Sequence, residues 1–154
     1  MQPAQTFTHR DDEMQMSQMV TGAPVAQLSI ASDFDVVAAR RKGRSVATAA
    51  SFTPADVTLV AAAISELARN IVLHATRGEI TIQLVESGDQ CGIRIEASDE
   101  GPGIADVEGA LELGYSTSGH LGLGLPAVRR VMDEFTVHSA PTKGTRVVVT
   151  KWRT

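Results

Sequence analysis

Aromatic side chains are scarce, 4% of 154 residues, with a single tryptophan and a single tyrosine. So small a set cannot build the stacked platform on which single-stranded nucleic acid is held. No basic run stands out either, and 14 lysines and arginines against 18 acids leave a net charge of −4. Both features argue against DNA or RNA as a partner. Cys91 is the sole cysteine. That excludes an intramolecular disulfide, and in an alternating apolar stretch the lone thiol reads as core filler. No apolar run approaches the roughly 20 residues of a membrane-spanning helix. The N-terminus lacks the basic and apolar regions of a secretory signal. The expectation is a cytoplasmic protein with neither membrane nor nucleic-acid partners.

What is present suits one globular domain: 43% hydrophobic and 21% charged residues, in a length that supports one core and not two. Residues 1–24 are polar, rich in Met and Gln and without period. They predict a flexible N-terminal tail ahead of a domain spanning 25–154. The segment 25–30 alternates as a strand does. Ser32 or Asp33 can cap a helix over 34–50, with Gly43 inside it at some cost. Thr53 and Pro54 start a second helix over 54–75, whose Val57, Val60, Ile64, Leu67 and Ile71 repeat on one face. Alternating stretches at 79–86 and 91–98 form a hairpin. A short helix is expected over 107–113, a longer one over 123–135, and a second hairpin from 136–140 and 145–152. Hairpin-linked strands beside helices predict an α/β fold: a two-layer sandwich, its sheet mixed or antiparallel, with the helices on one face.

Gly119, Gly122 and Gly124 stand at the head of the last predicted helix. A Walker loop is excluded, because no Gly-x-x-x-x-Gly-Lys-Ser/Thr run exists. A dinucleotide fingerprint needs a buried strand before Gly122, where the polar "YSTSGH" stands instead. A glycine-rich turn without any ligand is the third reading. Two other groups bear on the choice. Glu66 and Asn70 are four residues apart, so they share a helix face, one that points away from the apolar stripe. They can face a ligand or simply water. Asp99 follows a predicted strand, with Gly101 and Gly103 bracketing Pro102. Glycines there let backbone approach a flat ligand, and the aspartate can accept from an exocyclic amine; the same residues also suit a plain turn.

Taken in order, Glu66-x-x-x-Asn70, Asp99-x-Gly101-x-Gly103, Gly122-x-Gly124 and Gly144-Thr145 resemble the N, G1, G2 and G3 boxes of the GHKL ATPase superfamily. The stretches "DFDVVAARRKGRSVA", "ISELARNI", "DEGPGI" and "GYSTSGHLGLGLPAVRRVMDEF" are similar to the small switch serine/threonine kinases of the anti-sigma factor group, those of the stressosome. The likeness covers about residues 25–153.

The resemblance implies the Bergerat fold and ATP with Mg²⁺ as cofactors. It makes Asn70 the metal ligand and Glu66 the catalytic base that takes the proton of the attacking hydroxyl. Asp99 would read the adenine amine, Gly101 and Gly103 would line the base, and Thr145 would support hydrogen bonds on the adenine side. Ser118, Gly119, Gly122, Leu123 and Gly124 would close over the phosphates as the end of an ATP lid, with the start of the helix carrying Pro126. Between Asp106 and Leu121 that lid carries no Lys or Arg. The cation that phosphoryl transfer wants besides Mg²⁺ must then come from His120, from Arg69, Arg129 or Arg130, or from a partner protein. His9, His74 and His138 have no metal-ligand spacing and read as surface or packing residues. The implied substrates are STAS-domain proteins of the stressosome, RsbS- or RsbR-like. Phosphorylating them would release the kinase to activate a PP2C-type, RsbU-like phosphatase. The alternative is an RsbW- or SpoIIAB-like anti-sigma factor that holds a sigma subunit.

Overall fold

The structure, a computed structural model, describes residues 3–9, 20–21, 24–104, 111 and 124–154. Among these, the strands β1 (Gln5–His9), β2 (Val20–Thr21), β3 (Ala26–Ile30), β4 (Gly78–Ser87), β5 (Gln90–Asp99), β6 (Glu134–Ala140) and β7 (Gly144–Trp152) form one sheet. Its order is β1-β6-β7-β5-β4-β2, with β3 also pairing β4, and every pairing is antiparallel. The helices are α1 (Asp33–Ala49), α2 (Pro54–Asn70) and α3 (Leu125–Val131). A five-residue π turn, Ile71–Ala75, extends α2. The two-layer α/β fold is the one the hairpins and helices predict.

The local chemistry explains the helix starts. The Asp35 carboxylate accepts the backbone N–H of Ala31 at 2.9 Å and of Ser32 at 3.1 Å, which closes the first turn of α1. Thr53 Oγ1 accepts the Asp56 N–H at 3.2 Å, and Pro54 occupies the first turn of α2. Gly43 lets the two helices touch, because a Cβ there would lie 2.1 Å from Ile64 Cδ1. The core lies between α2 and the sheet. Ile64 and Leu67 face Ile80, Ile82, Ile93 and Ile95, which come from the inward parity of β4 and β5. α2 with its π extension has the length and apolarity of a membrane span, yet its apolar stripe is buried in this core.

The structure departs from the sequence reading in several places. The last helix is shorter than 123–135: it ends at Val131, Met132 is extended, and Glu134 and Phe135 belong to β6. Phe135 pairs with Val149 and is 1% exposed, so the sheet claims a residue whose helical spacing was equally good. The helix expected over 54–75 turns π-helical after Asn70. Residues 5–9, expected in a flexible tail, form an edge strand in register with β6, Phe7 opposite Val137. Alternation too short to register as a strand suffices once an open edge offers its hydrogen bonds. Cys91 is partly exposed at the start of β5 and is no core filler. The short helix expected over 107–113 lies outside the described residues except for Leu111, which is buried.

Candidate functional site

Asp99 is the last residue of β5, and its neighbours in the sheet are Gly78 of β4 and Thr145 of β7. Three glycines make room around it. A Cβ on Gly144, whose φ is +89°, would lie 1.9 Å from the Asp99 carbonyl oxygen. A Cβ on Gly78 or on Gly101 would lie 3.1 Å from Asp99 side-chain atoms. The Gly101 N–H donates to Asp99 Oδ1 at 2.9 Å. Burial pushes the Asp99 carboxyl above its ordinary range, while the N–H donors of Gly101 and Thr145 and the neighbouring His74 pull it partly back. The result is a half-buried acceptor set in a backbone cradle.

The segment leaving β5 is pinned from the far hairpin. Ser139, 1% exposed on β6, accepts the Ile104 N–H at 2.7 Å. Its Oγ lies 3.2 Å from the Gly144 carbonyl and 3.0 Å from Thr145 Oγ1. Thr142 donates its N–H to the Pro102 carbonyl at 3.0 Å. Gly103, at φ +81°, passes so close to β6 that a Cβ would lie 2.4 Å from the Ala140 carbonyl oxygen. These contacts fix Gly101, Pro102, Gly103 and Thr145 as one unit beside Asp99.

The second half of the site is on α2. Glu66 Oε1 accepts from Arg69 Nη1 at 2.8 Å. Its other carboxylate oxygen faces Gly124, where a Cβ would stand 2.2 Å away, at a backbone φ of +63°. Gly124 is the cap of α3 and accepts the Val128 N–H at 3.1 Å. Asn70 ends α2 one turn beyond Glu66. The π turn that follows joins the two halves: Ile71 packs against Gly78, and Ala75 lies so close to Gly101 that a Cβ on that glycine would meet it at 2.7 Å. An inserted residue of this kind in a helix is a common device at functional sites.

Of the residues singled out from sequence, Asp99, Gly101, Gly103 and Thr145 come together on one side, and Glu66, Asn70 and Gly124 on the other. Ser118, Gly119, His120, Gly122 and Leu123 lie outside the described residues. Arg69 is engaged by Glu66, the Arg129 guanidinium lies 4.9 Å from the centre of the Phe7 ring, and Arg130 is exposed. Three participants escaped the sequence reading. His74 reads from sequence as a surface or packing residue, although it extends the four-residue spacing of Glu66 and Asn70. Ser139 is a polar residue on the inward parity of β6, after Phe135 and Val137. Gly78 owes its part to Asp99, its partner across β4 and β5, which residue order does not reveal.

The matching family is the histidine kinase-like ATPase domain, over residues 31–151, from just ahead of α1 to the last residues of β7. The chain belongs to this family. Within it, the serine/threonine-protein kinase RsbT of Bacillus subtilis is 47% identical over 123 residues, covering 80% of this chain and 92% of that protein. The anti-sigma F factor of Oceanobacillus iheyensis is 34% identical over 118 residues, 69% of this chain and 80% of its own. That of Thermoanaerobacter sp. strain X514 is 36% identical over 103 residues, 63% and 71% respectively. The family domain and the kinase relative together imply the use of ATP.

Among the described residues, no cluster of three or more His, Cys, Asp or Glu side chains is placed to hold a metal. Mg²⁺ would not need such a cluster. It keeps several waters and takes phosphate oxygens, so one hard oxygen from the protein is enough. The Asn70 amide, one helical turn from Glu66, could supply an oxygen of that kind.

Proposed function

We propose that the chain is a serine/threonine protein kinase that uses Mg²⁺-ATP to phosphorylate STAS-domain regulators of the stressosome. The enzyme class rests on the 47% identity to a kinase over 92% of that kinase's length. The observation that carries the chemistry is the approach of Glu66 to Gly124, which brings a carboxylate to the end of the glycine-rich segment.

Asp99 accepts the exocyclic amine of adenine while the Gly101 N–H holds its Oδ1, and guanine carries a carbonyl where adenine has that amine. Gly101 and Gly103 lie against the base, and Thr145, held by Ser139, supports the same side. Ser118, Gly119, Gly122, Leu123 and Gly124 enclose the phosphates. Asn70 holds the metal, which when bound neutralises phosphate charge. Glu66 accepts the proton of the substrate hydroxyl as that oxygen bonds to the γ-phosphorus and the bond to ADP breaks. Arg69, paired with Glu66, orients the carboxylate. Phosphorylated STAS protein releases the kinase, which then engages a PP2C-type phosphatase.

The test is incubation of the chain with γ-labelled ATP, Mg²⁺ and a STAS-domain protein, followed by phosphosite mapping. Label on a serine or threonine of that protein is the expected result; unlabelled substrate in the presence of bound ATP would reject it. The kinship with anti-sigma F factors favours one second reading, sequestration of a sigma subunit. Stable co-elution with a sigma factor, dependent on adenine nucleotide, would establish it in place of the phosphatase.

A further inference from the structure

Residues 5–9 lie ahead of the family match, which begins at residue 31. They nonetheless touch the helix that follows the glycine-rich segment. β1 runs along β6 with Phe7 opposite Val137 and His9 opposite Phe135. Thr6 Oγ1 hydrogen-bonds the His138 ring, which secures the strand from its outer side. The Phe7 ring meets Phe135 edge-on at 6.3 Å between centroids, and its face lies under the Arg129 guanidinium, 4.9 Å away.

Arg129 belongs to α3, a helix of only seven residues. Its inner side is held by Leu125 and Val128, each 1% exposed. Its outer side has Phe7 as a support that comes from another element. A helix this short has little stability of its own, so its seat depends on such tertiary contacts. Gly124, the cap of α3, is the residue packed against the Glu66 carboxylate. Any rotation of α3 moves Gly124 against Glu66.

We propose that β1 is a strap that seats α3 through the stacking of Phe7 on Arg129, making Phe7 a positioning residue for the nucleotide site. This rests on the site proposed above. The strap couples an N-terminal segment outside the family domain to the geometry at Glu66. Arg129 is committed to Phe7 and serves as the clamp, so it is not the cation at the transferred phosphate.

The experiment compares the full-length wild type with Phe7→Leu, Phe7→Tyr, Arg129→Gln and the Phe7→Leu/Arg129→Gln double variant. Calorimetry measures ATP uptake with Mg²⁺, and hydrogen exchange follows the amides of 128–132. Leucine keeps the apolar packing but loses the aromatic face, whereas tyrosine keeps both. The expected result is a loss of affinity of about fivefold in Phe7→Leu and in Arg129→Gln. The double variant shows no further loss, Phe7→Tyr binds as wild type, and α3 amides exchange faster in the weakened variants. Wild-type affinity and exchange in Phe7→Leu, or losses that add in full in the double variant, would overturn the strap while leaving the site intact. Failure of the wild type itself to take up ATP would overturn the site, and the strap's effect on it as well.

Discussion

Gly124 rests against the carboxylate of Glu66, with no space between them for even a methyl group. The contact joins the cap of α3 to the last turns of α2. It requires glycine twice over: for the room, and for a φ of +63° that other residues adopt at a cost of about 1–2 kcal/mol. Gly124→Ala is expected to lower thermal stability by a few degrees and to displace Glu66. Phosphoryl transfer falls by about tenfold or more, the loss expected when a general base is moved out of reach. Steady-state kinetics beside a melting curve separates the two effects.

Glu66→Gln keeps the shape of the carboxylate and removes its basicity. Its turnover should fall by about a hundredfold or more, the ordinary contribution of a general base, while calorimetric ATP affinity changes little. Equal turnover in wild type and variant would remove Glu66 from proton transfer.

Asp99 holds its proton more tightly in the fold than in the unfolded chain, because burial opposes the charge. Its contribution to stability is therefore complete below the ordinary value of 3.8 and lost as pH rises through the raised value. Denaturant titrations at a series of pH values should show Asp99→Asn gaining on the wild type through that window and then levelling off. The same variant keeps a single side-chain oxygen, held by the Gly101 N–H, and turns its NH2 toward the adenine amine. ATP affinity should drop by about ten- to a hundredfold, the cost of a lost bond to a charged acceptor.

Ser139→Ala removes the oxygen that holds the Ile104 N–H and touches both Gly144 and Thr145. Leaving a half-buried donor without its partner costs about 1–3 kcal/mol. Chemical denaturation should show that loss, and ATP binding should weaken with it, since Gly103 and Thr145 lose their common anchor.

On the outer face of the sheet, the Arg146 guanidinium pairs with the Glu96 carboxylate at 2.5 and 3.0 Å. That bond holds the Glu96 carboxyl below its ordinary range. The stabilisation is present above 4.5 and lost as pH falls through the lowered value. Both side chains are partly solvated, so Glu96→Gln should cost only about 0.5–1 kcal/mol at neutral pH. The gap to wild type should close in acid, with ATP uptake unchanged throughout.

The helix starts, the two hairpins and the placing of Glu66 and Asn70 on one face are written in local residue order. These depend on contacts a few residues apart: Thr53 with Asp56, Asp35 with Ser32, apolar residues alternating along β4 and β5. Four boxes in order also made the family legible, since each box is a local run. The rest waits on packing, because the partners are distant along the chain. Phe135 fits a helix or a strand by local pattern, and the hydrogen bonds of β7 settle which. Ser139 gains its role from Ile104, 35 residues away, and Phe7 from Arg129, which no period in the sequence connects. Where the deciding interaction closes a long loop, residue order carries no sign of it, and packing chooses.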